Sequence, residues 1–228
     1  MNIIAKNKRI NKKDIVILVP HWPAPTYFFN LVEKTIPRNF GYLSYYYTRD
    51  LLNPNPSLTK KYFLSFINKI IHDLRELNRI KKRNFYMYGH SLGGLFCMIV
   101  ADKIDIKKLV LIAPGYNLAE CFWNGNKTQD LKKIMEQDGI TLKKLKILWK
   151  EISPDYYFKN KAIKSKYLIK LAKKDTIIPY KNGVKLVDLF KQKNIDFKLK
   201  IDNIFPHEFK LISEAIFPIN TIKFFRLA

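Results

Sequence analysis

Two cysteines in 228 residues exclude a disulfide-stapled scaffold, and their spacing does not suggest a metal site. Cys97 falls within an apolar helical pattern and reads as a packed thiol, so a reduced, cytoplasmic setting is the simplest expectation. Long apolar runs are missing as well. No segment approaches the roughly 18 consecutive apolar residues of a membrane-spanning helix. The basic start of the chain leads only into the brief run Ile15–Val19 and then His21-Trp22-Pro23, so no secretory signal is expected. Acidic residues are scarce, 19 against 42 Lys and Arg, for a formal net charge of +23. Such a field draws in anionic partners. The basic residues are nevertheless spread over nearly every predicted element, including Lys6–Lys13, Lys60-Lys61, Lys107-Lys108, Lys143–Lys150 and Lys191–Lys200. No helix-turn-helix, zinc or aromatic-platform pattern accompanies them, so nucleic acid is not the expected partner. The abundance of Lys, Asn, Ile, Phe and Tyr has a plainer source in A/T-rich coding bias. Internal repeats and low-complexity segments are also absent from the sequence.

What is present suits a single domain over 1–228 with a substantial core. β-like runs alternate with helical patterns, which predicts an α/β fold with a mostly parallel sheet covered on both faces. Strands are expected at 15–19, 42–47, 84–88, 108–113, 167–172 and 197–201. A helix at 58–80 carries Tyr62, Phe66, Ile70 and Leu74 at four-residue spacing. Another follows at 92–103, and one more begins after Pro179. Residues 2–10 supply at most one early edge strand, so a trimmed amino-terminal sheet is expected. Residues 116–160 break the alternation. Two amphipathic helices are predicted there, one burying Leu131, Ile134 and Met135, the other Leu142, Leu145, Leu148, Trp149 and Ile152.

The most informative stretch is Asn84-Phe-Tyr-Met-Tyr-Gly-His-Ser-Leu-Gly-Gly94. A strand-like run enters Gly89-x-Ser91-x-Gly93 and an apolar helix leaves it, the context in which a serine is held on a tight strand-to-helix turn as a nucleophile. The small neighbours let the adjacent chain pack closely against a strained serine backbone. A serine hydroxyl needs a histidine to take its proton and a carboxylate to orient that histidine, in the order Ser, Asp/Glu, His for this elbow. Only one histidine follows Ser91, namely His207, in a loop after the run Phe197–Ile201. For the acid, Asp175 lies in the loop after Tyr167–Ala172, while Asp202 and Asp155 read as turn residues. Asp175 also has a turn-capping reading, and the two roles are compatible. An oxyanion hole needs two backbone N–H groups. One is expected from Leu92, the other from the loop after Ile15–Val19. Prolines 20, 23 and 25 lack an N–H, which leaves His21, Trp22 and Ala24, with Trp22 preferred by position.

Together the Gly-His-Ser-Leu-Gly-Gly elbow, Asp175-x-x-x-Pro179, His207-x-Phe209 and the Trp22-Pro23 loop resemble the α/β-hydrolase superfamily, from about Ile15 onward. Two departures stand out. Pro20-His21 replaces the usual His-Gly before the oxyanion residue, and Pro206 replaces the usual Gly before the histidine. The resemblance implies the α/β-hydrolase fold and ester, thioester or peptide hydrolysis, with no metal or organic cofactor. It also implies that the helices of 116–160 form a small lid over the serine, with a plain packing pair as the alternative. The basic outer face of that segment suggests an acyl group delivered by an acidic carrier protein or an anionic lipid. A non-catalytic binding protein on the same scaffold is the rival from a different class.

Overall fold

The computed structural model describes residues 2–23, 26–158, 164–204 and 219–226. For residues 26–29 and 219–220 the description covers the backbone alone. Seven strands form one sheet in the order β1-β3-β2-β4-β5-β6-β7. They are β1 Ile3–Lys8, β2 Asp14–Val19, β3 Gly41–Tyr47, β4 Asn84–His90, β5 Ile106–Ile112, β6 Lys166–Ala172 and β7 Phe197–Asp202. Only β1 runs antiparallel, against β3, and the other pairs are parallel. The expected single edge strand is therefore β1.

Parallel strands covered on both faces read as continuous apolar runs, and β2 does so because alternate side chains enter different cores. Ile15, Ile17 and Val19 join one cluster, while Val16 and Leu18 join the other. The same division splits Leu109 and Leu111 from Val110 and Ile112 on β5. On the first face lie α2 (Pro56–Ile80), α3 (Leu92–Lys103), four short helices between β5 and β6, and α8 (Tyr180–Gln192). On the second lie α1 (Thr26–Thr35), through Val32, and the C-terminal helix α9 (Ile219–Arg226), through Phe224 and Phe225. Asn55 starts α2 by accepting hydrogen bonds from the Ser57 and Leu58 N–H groups at 3.0 and 3.3 Å, with Pro56 in the first turn.

Helix α9 is fastened to the sheet by two buried lysines. Lys108 of β5 donates to the Phe224 and Phe225 carbonyls at 3.0 and 3.4 Å, placing a cation at the helix's carboxyl end. Lys170 of β6, 1% exposed, donates to Thr221 Oγ1 at 3.1 Å.

Between β5 and β6 the two expected helices are α5 (Gln129–Gln137) and α6 (Leu142–Leu148), but α4 (Leu118–Asn124) and α7 (Pro154–Tyr157) flank them. Leu145, Trp149 and Ile152 are buried as expected. Ile134 is not. The inward stripe of α5 runs through Leu131 and Met135, four residues apart, which leaves Ile134 42% exposed. No helix among the described residues is long and apolar enough to cross a membrane.

Candidate active site

Ser91 sits between the last residue of β4 and the first of α3, as the amino-terminal cap of that helix. Its backbone has φ 52° and ψ −119°, in the left-handed range that costs a non-glycine residue about 1–3 kcal/mol. The surroundings hold it there. Its N–H donates to the Ile112 carbonyl at 2.7 Å, and its own carbonyl accepts from the Gly94 N–H at 2.9 Å. The flanking glycines are required by close approach. A Cβ on Gly89 would stand 2.6 Å from the Gly93 carbonyl oxygen, and one on Gly93 would stand 2.1 Å from that of Val19. β4 thus feeds the serine to the carboxyl edge of the sheet, while α3 begins against the end of β2 and packs on β4.

Leu92 is the first residue of α3, so its N–H has no acceptor within the helix. Trp22 follows β2 at the same edge, and its indole Nε1 donates to the Arg49 carbonyl at 2.8 Å. Both residues line a small cavity with Ser91. His21 packs edge-on against His90, with ring centroids 5.2 Å apart. Ala24, the remaining alternative donor of that loop, lies outside the described residues.

Asp175 lies three residues beyond β6 and is 7% exposed. Its Oδ1 accepts from the Ile177 and Ile178 N–H groups at 3.0 and 2.8 Å, so the turn-capping role is real. That capping brings Ile177 and Ile178 into the wall of the cavity that Ser91 opens onto. The serine and the aspartate turn therefore border one space. The competing aspartates are engaged elsewhere: Asp202 accepts from the Ile204 N–H at 2.9 Å, and Asp155 accepts from Asn117 Nδ2 at 3.1 Å. β7 ends at Asp202 beside β6, on the same edge as Ser91, but His207 itself lies outside the described residues.

The cavity measures about 40 Å³. Sequence reasoning did not identify its outer wall, which is Leu118, Cys121 and Phe122 on one face of α4, with Lys127 and Thr128 beyond. A signal for α4 was present, since Asn117 followed by Glu120 is a capping pattern. In the structure Asn117 Oδ1 accepts from the Glu120 N–H at 3.0 Å. Burial pushes the Cys121 thiol up to about 12, so it faces the cavity as a neutral, apolar group. Among the described residues no group of three or more His, Cys, Asp or Glu stands together to hold a metal ion.

A strained serine on a strand-to-helix turn, flanked by obligatory glycines and facing an apolar hollow, is the arrangement of a nucleophile elbow. The profile of the prolyl oligopeptidase family, peptidase S9, matches residues 59–212, which take in Ser91, Asp175 and His207. The chain belongs to that family. It is accordingly a member of the α/β-hydrolase superfamily. No curated protein matches the sequence significantly. Among solved structures, Pyrococcus horikoshii acylaminoacyl peptidase superposes with a TM-score of 0.69 at 15% identity, over 98% of this chain and 38% of that one. Esterase B from Lactobacillus rhamnosis gives 0.67 at 12% identity, over 97% of this chain and 85% of that one. The Pyrococcus furiosus esterase Pf2001 gives 0.65 at 12% identity, covering 97% and 82%. At such identities the likeness is one of fold. This prolyl oligopeptidase family member spans 38% of the length of the acylaminoacyl peptidase that it matches.

Proposed function

We propose that the chain is a serine hydrolase that cleaves a carboxylic ester or thioester of a moderately apolar acyl group through an acyl-enzyme on Ser91. His207 removes the Ser91 proton as the hydroxyl attacks the carbonyl carbon, and Asp175 orients the imidazole and balances its charge. The Leu92 and Trp22 N–H groups receive the developing oxyanion. His207 then protonates the leaving alcohol or thiol, and a water activated by the same imidazole releases the acid. The observation that carries this reading is the backbone of Ser91, held at φ 52° on the wall of an apolar cavity that it shares with the Asp175 turn. Helices α4–α7 act as a cover that keeps water from the acyl group. Cys97 and Cys121, both buried free thiols, fit a cytoplasmic, reducing setting.

The names of the structural neighbours bring both amide and ester chemistry to this scaffold, acylaminoacyl peptidase and esterase alike. We favour esters and thioesters because the cavity beside Ser91 is apolar. Assays of a p-nitrophenyl ester and its matched p-nitroanilide separate the two. Ser91→Ala is expected to leave the circular-dichroism spectrum unchanged and to lower ester turnover by about 10⁴-fold or more. Turnover that survives in the pure variant removes Ser91 from the mechanism. A fluorophosphonate probe is expected to label Ser91, and well-folded protein that stays unlabelled favours the non-catalytic binding scaffold instead.

Lys127 on the cavity wall, with exposed Lys133, Lys143 and Lys144 on α5 and the turn of α6, supports a second and finer reading. In it the acyl group arrives on an acidic carrier protein or an anionic lipid surface. Raising ionic strength from about 0.05 to 0.5 M is then expected to lower kcat/KM for carrier-bound acyl groups and to spare small neutral esters.

A further inference from the structure

The cavity beside Ser91 is bounded by side chains that have no room to retreat. Phe122 packs edge-on against Trp149 with ring centroids 5.2 Å apart, and Trp149, itself fully buried, is tied through its indole N–H to the Pro56 carbonyl at 2.8 Å. The amino end of α4 is pinned where Ser153 Oγ accepts from the Leu118 N–H at 3.1 Å. Its carboxyl end is pinned by Thr128, whose hydroxyl donates to the Phe122 carbonyl, and by Asn126, whose N–H donates to the Thr176 carbonyl at 3.1 Å. The chain also approaches too closely for rearrangement at two glycines. A Cβ on Gly125 would stand 2.4 Å from the Ile177 carbonyl oxygen, and one on Gly115 would stand 2.3 Å from Cys121 Sγ. This wall is braced against α2, the Asp175 turn and the β5–α4 connection at once.

The space left inside is about 40 Å³. That space receives a short group at the serine, while anything longer has to leave through the open side into solvent. Resting on the reading of Ser91 as nucleophile, we propose that this chain is restricted to short acyl groups, about two to four carbons long, and that Leu118, Cys121 and Phe122 set the limit. A longer chain meets a packed aromatic pair rather than a mobile loop. Extra methylenes must then be accommodated by displacing core residues or left in water, and one misfitted methylene alone is worth about 10–200-fold in discrimination.

The experiment is a chain-length series of p-nitrophenyl esters (acetate, butyrate, octanoate, decanoate) with the full chain, its Ser91→Ala variant, and the wall variants Leu118→Ala and Cys121→Ala. Wild type is expected to lose about 100-fold or more in kcat/KM between butyrate and octanoate. Each wall variant is expected to raise the octanoate-to-butyrate ratio by about tenfold. The milder Cys121→Ala keeps the test open should Leu118→Ala fail to fold. A flat or rising wild-type profile that Ser91→Ala abolishes overturns the size limit and leaves the nucleophile in place. A falling profile whose ratio neither folded wall variant shifts overturns the role of α4. Hydrolysis by Ser91→Ala at the wild-type rate overturns the reading on which the limit stands.

Discussion

Helices α3 and α6 lie in the same half of the molecule and are held in opposite ways. Every residue of α3 from Leu92 to Val100 is buried, and Gly93 is required because the Val19 and Pro20 backbone passes within contact distance. Of the seven residues of α6 only Leu145 is buried, while Lys143, Lys144, Lys146 and Ile147 face solvent. The first helix is located by shape and the second by a few separate tethers. Close packing makes substitutions in α3 nearly all-or-nothing, whereas each tether of α6 is removable by itself. The candidate nucleophile sits at the start of the helix that cannot move.

That contrast is open to direct attack. Gly93→Ala should be the most damaging change, because the new methyl would lie 2.1 Å from one backbone oxygen and 2.5 Å from another. A loss of about 4 kcal/mol or more is expected, read as failure to accumulate soluble protein or as a collapsed urea midpoint. A variant as stable as wild type would show that α3 has slack and would dissolve the distinction. Trp149→Ala, just after α6, should cost about 3–5 kcal/mol by the same measurement, since it removes a fully buried indole and its bond to Pro56.

The smallest effect concerns Glu120 of α4, which accepts from Lys146 of α6 at 2.5 Å and from Lys185 of α8 at 2.6 Å. Burial pushes the Glu120 carboxyl up, but the bonds and charges of the two lysines outweigh it and leave it below its ordinary value of 4.5. A carboxylate depressed on folding contributes stability above its unfolded pKa and loses it as pH falls through the folded one. Glu120→Gln is therefore expected to cost about 1 kcal/mol near pH 7 and less near pH 3, which lies below the carboxyl's ordinary value, with the difference shrinking in salt. An equal loss at both pH values would show that the tether works by packing rather than by charge.

How legible these regions were in the sequence follows the same division. β2, β4, β5 and β6 announce themselves because both faces are covered and most of their positions are apolar, and the elbow does so because backbone contact dictates glycine at fixed spacing. Helix α2 was visible through its regular stripe. By contrast α1 is rich in aromatic residues of modest helix propensity, and α4, α7 and α9 are too short for a period to stand out. The cavity wall was hidden for another reason. Leu52, Phe122 and Ile178 are far apart in sequence and meet only once the sheet has folded. Ile134 departs from its expected burial because a one-residue rotation of a nine-residue helix exchanges rim and interior.

Lys108 and Lys170 make the final described helix more than a cover. Each spends an ammonium group inside the protein, where a cation left without its oxygen partners is costly. Stripping away Ile219–Arg226 would remove the Phe224 and Phe225 carbonyls and the Thr221 hydroxyl together, and would uncover an apolar face beside two buried positive charges. The helix Ile219–Arg226 thus serves the strands at the centre of the sheet as a solvent would.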